Sequence, residues 1–136
     1  MKEIETKRVK IEKPIEIVYN TLSDFTNFHY IPNDKVKDFK ATKDTCSFSV
    51  NNMAEIELKI ESCTPYSSII ISSSKEIVGG ISFSLNLLLD KEDEGCLLNA
   101  KCMIKCNPMM FMMFKKQVED GLNRLMDTIK LSLEKS

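Results

Sequence analysis

The clearest signal along the chain is alternation. Ile56, Leu58 and Ile60 alternate with Glu55, Glu57, Lys59 and Glu61, a strand with one dry and one wet face. Ile81, Phe83, Leu85, Leu87 and Leu89 alternate with Ser82, Ser84 and Asn86. Leu98, Ala100, Cys102, Ile104 and Cys106 alternate with Asn99, Lys101, Met103 and Lys105. Earlier in the chain, the third strand in order places Cys46, Phe48 and Val50 opposite Ser47 and Ser49. Further strands are predicted over residues 2–12, 36–42 and 69–78. Turn signals separate them: Lys43-Asp44, Asn51-Asn52, Thr64-Pro65-Tyr66-Ser67, Gly79-Gly80 and Asp93-Glu94-Gly95.

Three segments switch to helical spacing. Pro14 opens a helix whose apolar face is Ile15, Val18, Tyr19 and Leu22. Asp24 caps a second short helix, Phe25 to Ile31, which Pro32 stops. Asn107-Pro108 then supplies cap and first residue of a long final helix. Its apolar positions are Met110, Phe114, Val118, Leu122, Leu125, Ile129 and Leu133. Roughly 25 residues of helix span about 38 Å, close to the width of a domain this size. The predicted order is strand, two short helices, six strands in sequential hairpins, long helix. That is an α+β antiparallel meander in one domain, residues 1–136.

This order resembles the START-like helix-grip (SRPBCC) superfamily, which includes birch-pollen allergens, polyketide cyclase/dehydrase-like proteins and lipid-transfer domains. The carrying residues are Val9-Lys10-Ile11 entering Pro14-Ile15-Glu16-Ile17-Val18-Tyr19, then Leu22-Ser23-Asp24-Phe25, and finally Asn107-Pro108 with Gly121-Leu122. The resemblance covers essentially the whole chain and is specific for fold, since the superfamily shares no catalytic motif. It implies a seven-stranded curved sheet gripping the last helix around an apolar cavity, with two short helices between strands 1 and 2. One departure is the absence of the tryptophan often found in the second short helix; Phe28-His29-Tyr30 stands there.

Charge and cysteine content narrow the picture. The net charge is −1 and basic residues are interspersed with acids. This argues against a nucleic-acid surface and a polybasic membrane anchor. No apolar run approaches the ~20 residues of a spanning helix, and the first residues lack the apolar core of a signal peptide. The expectation is a cytoplasmic protein without an integral membrane segment, monomer or homodimer. Five cysteines, an odd number, read as reduced and buried thiols. Cys102 and Cys106, four apart on a strand, lie about 13 Å apart, beyond disulfide reach. No C-x-x-C pair occurs and one histidine is too few for the common zinc sets, so neither metal nor cofactor is expected.

The sites are weighed on the same basis. Histidine is the side chain whose ordinary titration falls near neutrality, and the resemblance sets His29 at the cavity rim with Phe28. Asp24, Tyr30 and Asp34 stand at no diagnostic spacing for orienting it, so helix packing or surface exposure explains it as well. Cys102 has no neighbour that lowers its pKa. The run Met109-Met110-Phe111-Met112-Met113-Phe114 is apolar on all sides of a helix start. It serves as core packing over the sheet end, as a pocket mouth, or as a protein interface. The inward faces carry almost no charge, which favours binding over catalysis. The reading favoured is a binding protein for an apolar or amphipathic small molecule, without chemistry. Phe28 and His29 stand at the rim; Phe48, Leu58, Phe83, Cys102, Met110, Phe114 and Val118 line the pocket. The alternatives are a cyclase- or dehydratase-like enzyme working through His29, and an interaction module using the methionine-rich helix start.

Overall fold

A computed structural model describes residues 2–28, 36–50, 54–74 and 80–135. His29, Tyr30 and Asp34, the Asn51-Asn52 turn and Gly79 lie outside the described residues. The chain begins with β1 (Lys2–Glu5) and β2 (Val9–Ile11), then α1 (Ile15–Leu22) and a 3-10 turn (Phe25–Phe28). Six strands follow: β3 (Val36–Ala41), β4 (Thr45–Val50), β5 (Ala54–Thr64), β6 (Ser68–Ser73), β7 (Ser82–Glu92) and β8 (Gly95–Lys105). The final helix α2 runs Pro108–Glu134. The sheet is curved and antiparallel, ordered β1-β8-β7-β6-β5-β4-β3, with β2 also on β8.

The single first strand expected over residues 2–12 is two short ones sharing the same edge of β8. Lys2–Glu5 pair with Ile104–Lys101 and Val9–Ile11 with Leu98–Cys96. Between them Thr6, almost fully buried, bonds twice to Ala100: its N–H donates to the Ala100 carbonyl, and its hydroxyl accepts from the Ala100 N–H, both at 2.9 Å. That hydroxyl takes the place of a backbone ladder partner, so the chain leaves the sheet for three residues without orphaning a buried N–H. The second short helix is a 3-10 turn over its first four residues, started by Asp24, whose carboxylate accepts from the Thr26 N–H at 2.9 Å.

The predicted strand faces are the observed ones. Leu85, Leu87 and Leu89 on β7 and Leu98, Ala100, Cys102 and Ile104 on β8 are buried on the inner face, continued by Ile69 and Ile71 of β6. Register ties them into rows: Ile4, Cys102, Leu85, Ile71 and Ile60 stand side by side across five strands. Helix α1 packs on β7 and β8 through Ile15, Val18, Tyr19 and Leu22, the four residues its spacing predicts.

Helix α2 is capped as expected: the Asn107 side chain accepts from the Met109 N–H at 2.8 Å, with Pro108 as first residue. It packs chiefly on β1, β2 and β8. Its buried residues, Met126, Ile129 and Leu133, all belong to its second half. A polar row on that half secures it to the β1–β2 segment. Asn123 accepts from the Lys7 N–H at 2.9 Å, and Asp127 pairs with the Lys7 ammonium at 2.8 Å. Lys130 donates to the Lys10 carbonyl, and Glu134 accepts from the Glu12 N–H at 2.9 Å. Positions 123, 127, 130 and 134 repeat at helical spacing, so one face makes all four contacts.

Candidate functional site

The half of the inner sheet face away from the second half of α2 is apolar and incompletely covered. On β4, Phe48 is half-buried and stacks on Phe39 of β3, ring centroids 6.3 Å apart and planes 26° apart. On β5, Leu58 stands between Cys46 and Ser73. Phe83 of β7 follows Ser73 in the same row, held by two bonds. Its N–H donates to the Ser73 hydroxyl at 3.1 Å, and that hydroxyl donates to its carbonyl at 3.4 Å. Phe48, Leu58 and Phe83 thus lie on one face, joined by Phe39, Ala41 and Ile60, all half-buried against the core.

The remaining proposed lining residues are distributed differently. Phe28 is buried in the core, edge-on to Phe25 with ring centroids 5.7 Å apart. Cys102 is buried between Ile4 and Leu85. On α2, Val118 is half-buried against the core, Met110 is half-buried, and Phe114 is 42% exposed. His29 lies outside the described residues.

The α2 stripe therefore departs from the spacing-based one at its start. Phe111, 18 residues before Ile129, is about five full turns away and points along the same line. Phe114 is rotated from that line by about 60° and Met110 by about 100°. Three- and four-residue steps both suit a helix locally, but a run of fours drifts by about 40° each time. Phe111, Val118 and Leu122 pack on the core, and the sequence reading missed Phe111 because its neighbours are equally apolar. It also missed Met126, buried beside Ile129. The signal that finds both is distance counted back from Leu133 in whole turns.

Electrostatically the inner face is quiet. Burial pushes the thiols of Cys46 and Cys102 up to about 11, and that of Cys96 likewise. At neutral pH they are protonated and behave as small apolar groups. Among the described residues no three of His, Cys, Asp and Glu gather as a metal site. No helix of the described residues is long and apolar enough to cross a membrane. Two open depressions are lined by described residues. One of about 380 Å³ sits at the start of α2, between Lys2, Pro108, Phe111, Met112 and Lys115. One of about 340 Å³ lies at the β3–β5 edge and includes Cys46 and Leu58.

No protein-family model matches the chain, and no curated protein does. Solved structures do. A START superfamily protein from Mycobacterium smegmatis superposes with a TM-score of 0.66 over 95% of this chain and 97% of its own, at 12% identity. The chain has the START-like helix-grip fold. A protein from Arthrobacter aurescens matches with a TM-score of 0.75 over 98% of this chain and 87% of its own, at 8% identity. CalU16 from Micromonospora echinospora matches with 0.61 over 95% and 72%, at 19% identity. At such identities the helix-grip architecture is what is shared, so function has to be argued from this chain's own residues.

Proposed function

We propose that the chain, as a single START-like domain over residues 1–136, holds an apolar or amphipathic small molecule between the sheet and α2, in the cytoplasm and without chemistry. The observation that carries this is the half-buried apolar row Phe39, Phe48, Leu58 and Phe83 on the inner face. In the same fold α2 packs chiefly on β1, β2 and β8, and its second half bonds to Lys7, Lys10 and Glu12 beside those strands. A ligand that buries about 300 Å² of apolar surface gains roughly 7 kcal/mol before immobilisation costs. The Ser73 hydroxyl is held by Phe83, and the buried thiols are protonated, so the lining supplies shape and apolar area.

Native mass spectrometry of the purified protein tests this, followed by denatured extraction of whatever accompanies it. The expected result is a reproducible extra mass released on unfolding, or uptake of an apolar fluorescent probe by bare protein. Phe83→Trp should weaken either by filling the row. A bare mass with no probe uptake refutes the reading. Ligand affinity unchanged by Phe83→Trp places the site elsewhere.

A further inference from the structure

The first two turns of α2 present apolar side chains that the fold leaves uncovered. Met109 is 71% exposed, Met112 81%, Met113 65% and Phe114 42%. Around the helix axis Met109, Met112, Met113 and Lys116 fall within about 100° of one another, so they form one outward face. Lysines frame it. Lys2 and Lys115 line the depression beside Phe111 and Met112, Lys116 sits on the face itself, and Lys105 ends β8 just before the cap. All four are exposed, and none forms an ion pair among the described residues. No acidic residue occurs from Cys96 to Val118; Glu119 and Asp120 begin beyond the patch. The chain as a whole is slightly acidic, yet folding brings Lys2 of β1 to the lysines of α2 at this one end.

From this we propose that the start of α2 docks on a membrane surface containing anionic lipid, methionines entering the acyl boundary and lysines meeting the headgroups. An apolar face bordered by lysines is the arrangement that binds an interface without spanning it. A second copy fits less well, because a symmetric pairing through this face brings two lysine-bearing patches, each with Lys2, Lys115 and Lys116, against one another. The flexible thioether side chains suit a disordered acyl layer better than a fixed complementary surface. The inference does not rest on the ligand reading: vesicle binding reports this outer face, whereas co-purifying mass reports the inner one.

The test is flotation of the full chain with phosphatidylcholine vesicles, with and without phosphatidylglycerol. Wild type should float with the anionic vesicles and be released by high salt. Lys115→Gln/Lys116→Gln should lower the partition coefficient about 25-fold, at about fivefold per lysine. Met112→Ser/Met113→Ser should lower it at least as much while leaving the thermal midpoint within a few degrees, because both side chains are mostly exposed. A dye placed at Met112→Cys, in a chain whose accessible thiols are removed by Cys63→Ser and Cys106→Ser, should shift to the blue only on anionic vesicles. Absence of flotation at low salt overturns the proposal and leaves the patch to a protein partner. So does equal partition of wild type and both double variants. A concentration-dependent dimer dissolved by Met112→Ser/Met113→Ser overturns it in favour of self-association.

Discussion

One helix carries the same residue in two opposite environments, which allows the division of α2 to be measured directly. Met126 is fully buried, at 0% exposure, and Met112 is 81% exposed. Truncating each to alanine changes helix propensity equally and slightly in alanine's favour. The difference between them is therefore tertiary. At Met126 the loss combines removal of a buried side chain with the cavity left under Ile129 and Leu133, about 3 kcal/mol. At Met112 it should fall within about 0.5 kcal/mol of zero. With a urea slope of about 2 kcal/mol/M, Met126→Ala should lower the unfolding midpoint by about 1.5 M and Met112→Ala should leave it nearly unmoved. The assay is equilibrium urea unfolding followed by far-ultraviolet dichroism, with slopes compared to confirm that both variants unfold as wild type does. If Met112→Ala cost as much as Met126→Ala, the outward face of the first turns would be packed in solution, and the contrast between the two environments would be refuted. A cost under about 1 kcal/mol at Met126 would equally refute it.

Other outcomes follow from single positions. Gly121 is exposed in mid-helix, and a Cβ there meets nothing within 4 Å. Gly121→Ala should therefore stabilise by about 1 kcal/mol, raising the thermal midpoint by about 4 °C; a fall would show that the helix needs freedom there. Gly95 is different, because a Cβ would meet the Ile11 carbonyl oxygen at 2.7 Å. Gly95→Ala should push β2 from β8 and cost about 2 kcal/mol by calorimetry, and a neutral result would mean that β2 yields freely. The Glu134 carboxyl is held below its ordinary value of 4.5, first by the hydrogen bond from Lys130 and then by the Glu12 N–H. A folded value below the unfolded one adds stability above about pH 4.5. That stability is lost as pH falls through the depressed value. The gap between wild type and Glu134→Gln in urea melts should accordingly shrink on acidification through this range. A gap that stays constant removes the carboxylate from the anchoring row.

What the sequence determined by itself is what neighbouring residues settle. Alternation assigned the inner faces of β7 and β8, because a strand's side-chain period is two and a slip of one residue would bury Ser82, Ser84 and Asn86. The α1 face of Ile15, Val18, Tyr19 and Leu22 was legible from the 3.6-residue period of a helix, and the Asn107-Pro108 start of α2 and the turn at Thr64–Ser67 from local capping and turn chemistry. In that turn Tyr66 takes a positive φ of 62°. Only the tertiary structure decided the rest. The break at Thr6 depends on Ala100, 94 residues away, whose N–H donates to the Thr6 hydroxyl. The row Asn123, Asp127, Lys130 and Glu134 reads as ordinary polar surface until Lys7, Lys10 and Glu12 are brought beside it. Which of six consecutive apolar residues faces the core is set by the azimuth at which the far end of the helix docks. Local patterns carry periodicity and capping, whereas the choice among equally apolar neighbours belongs to packing partners distant in the chain.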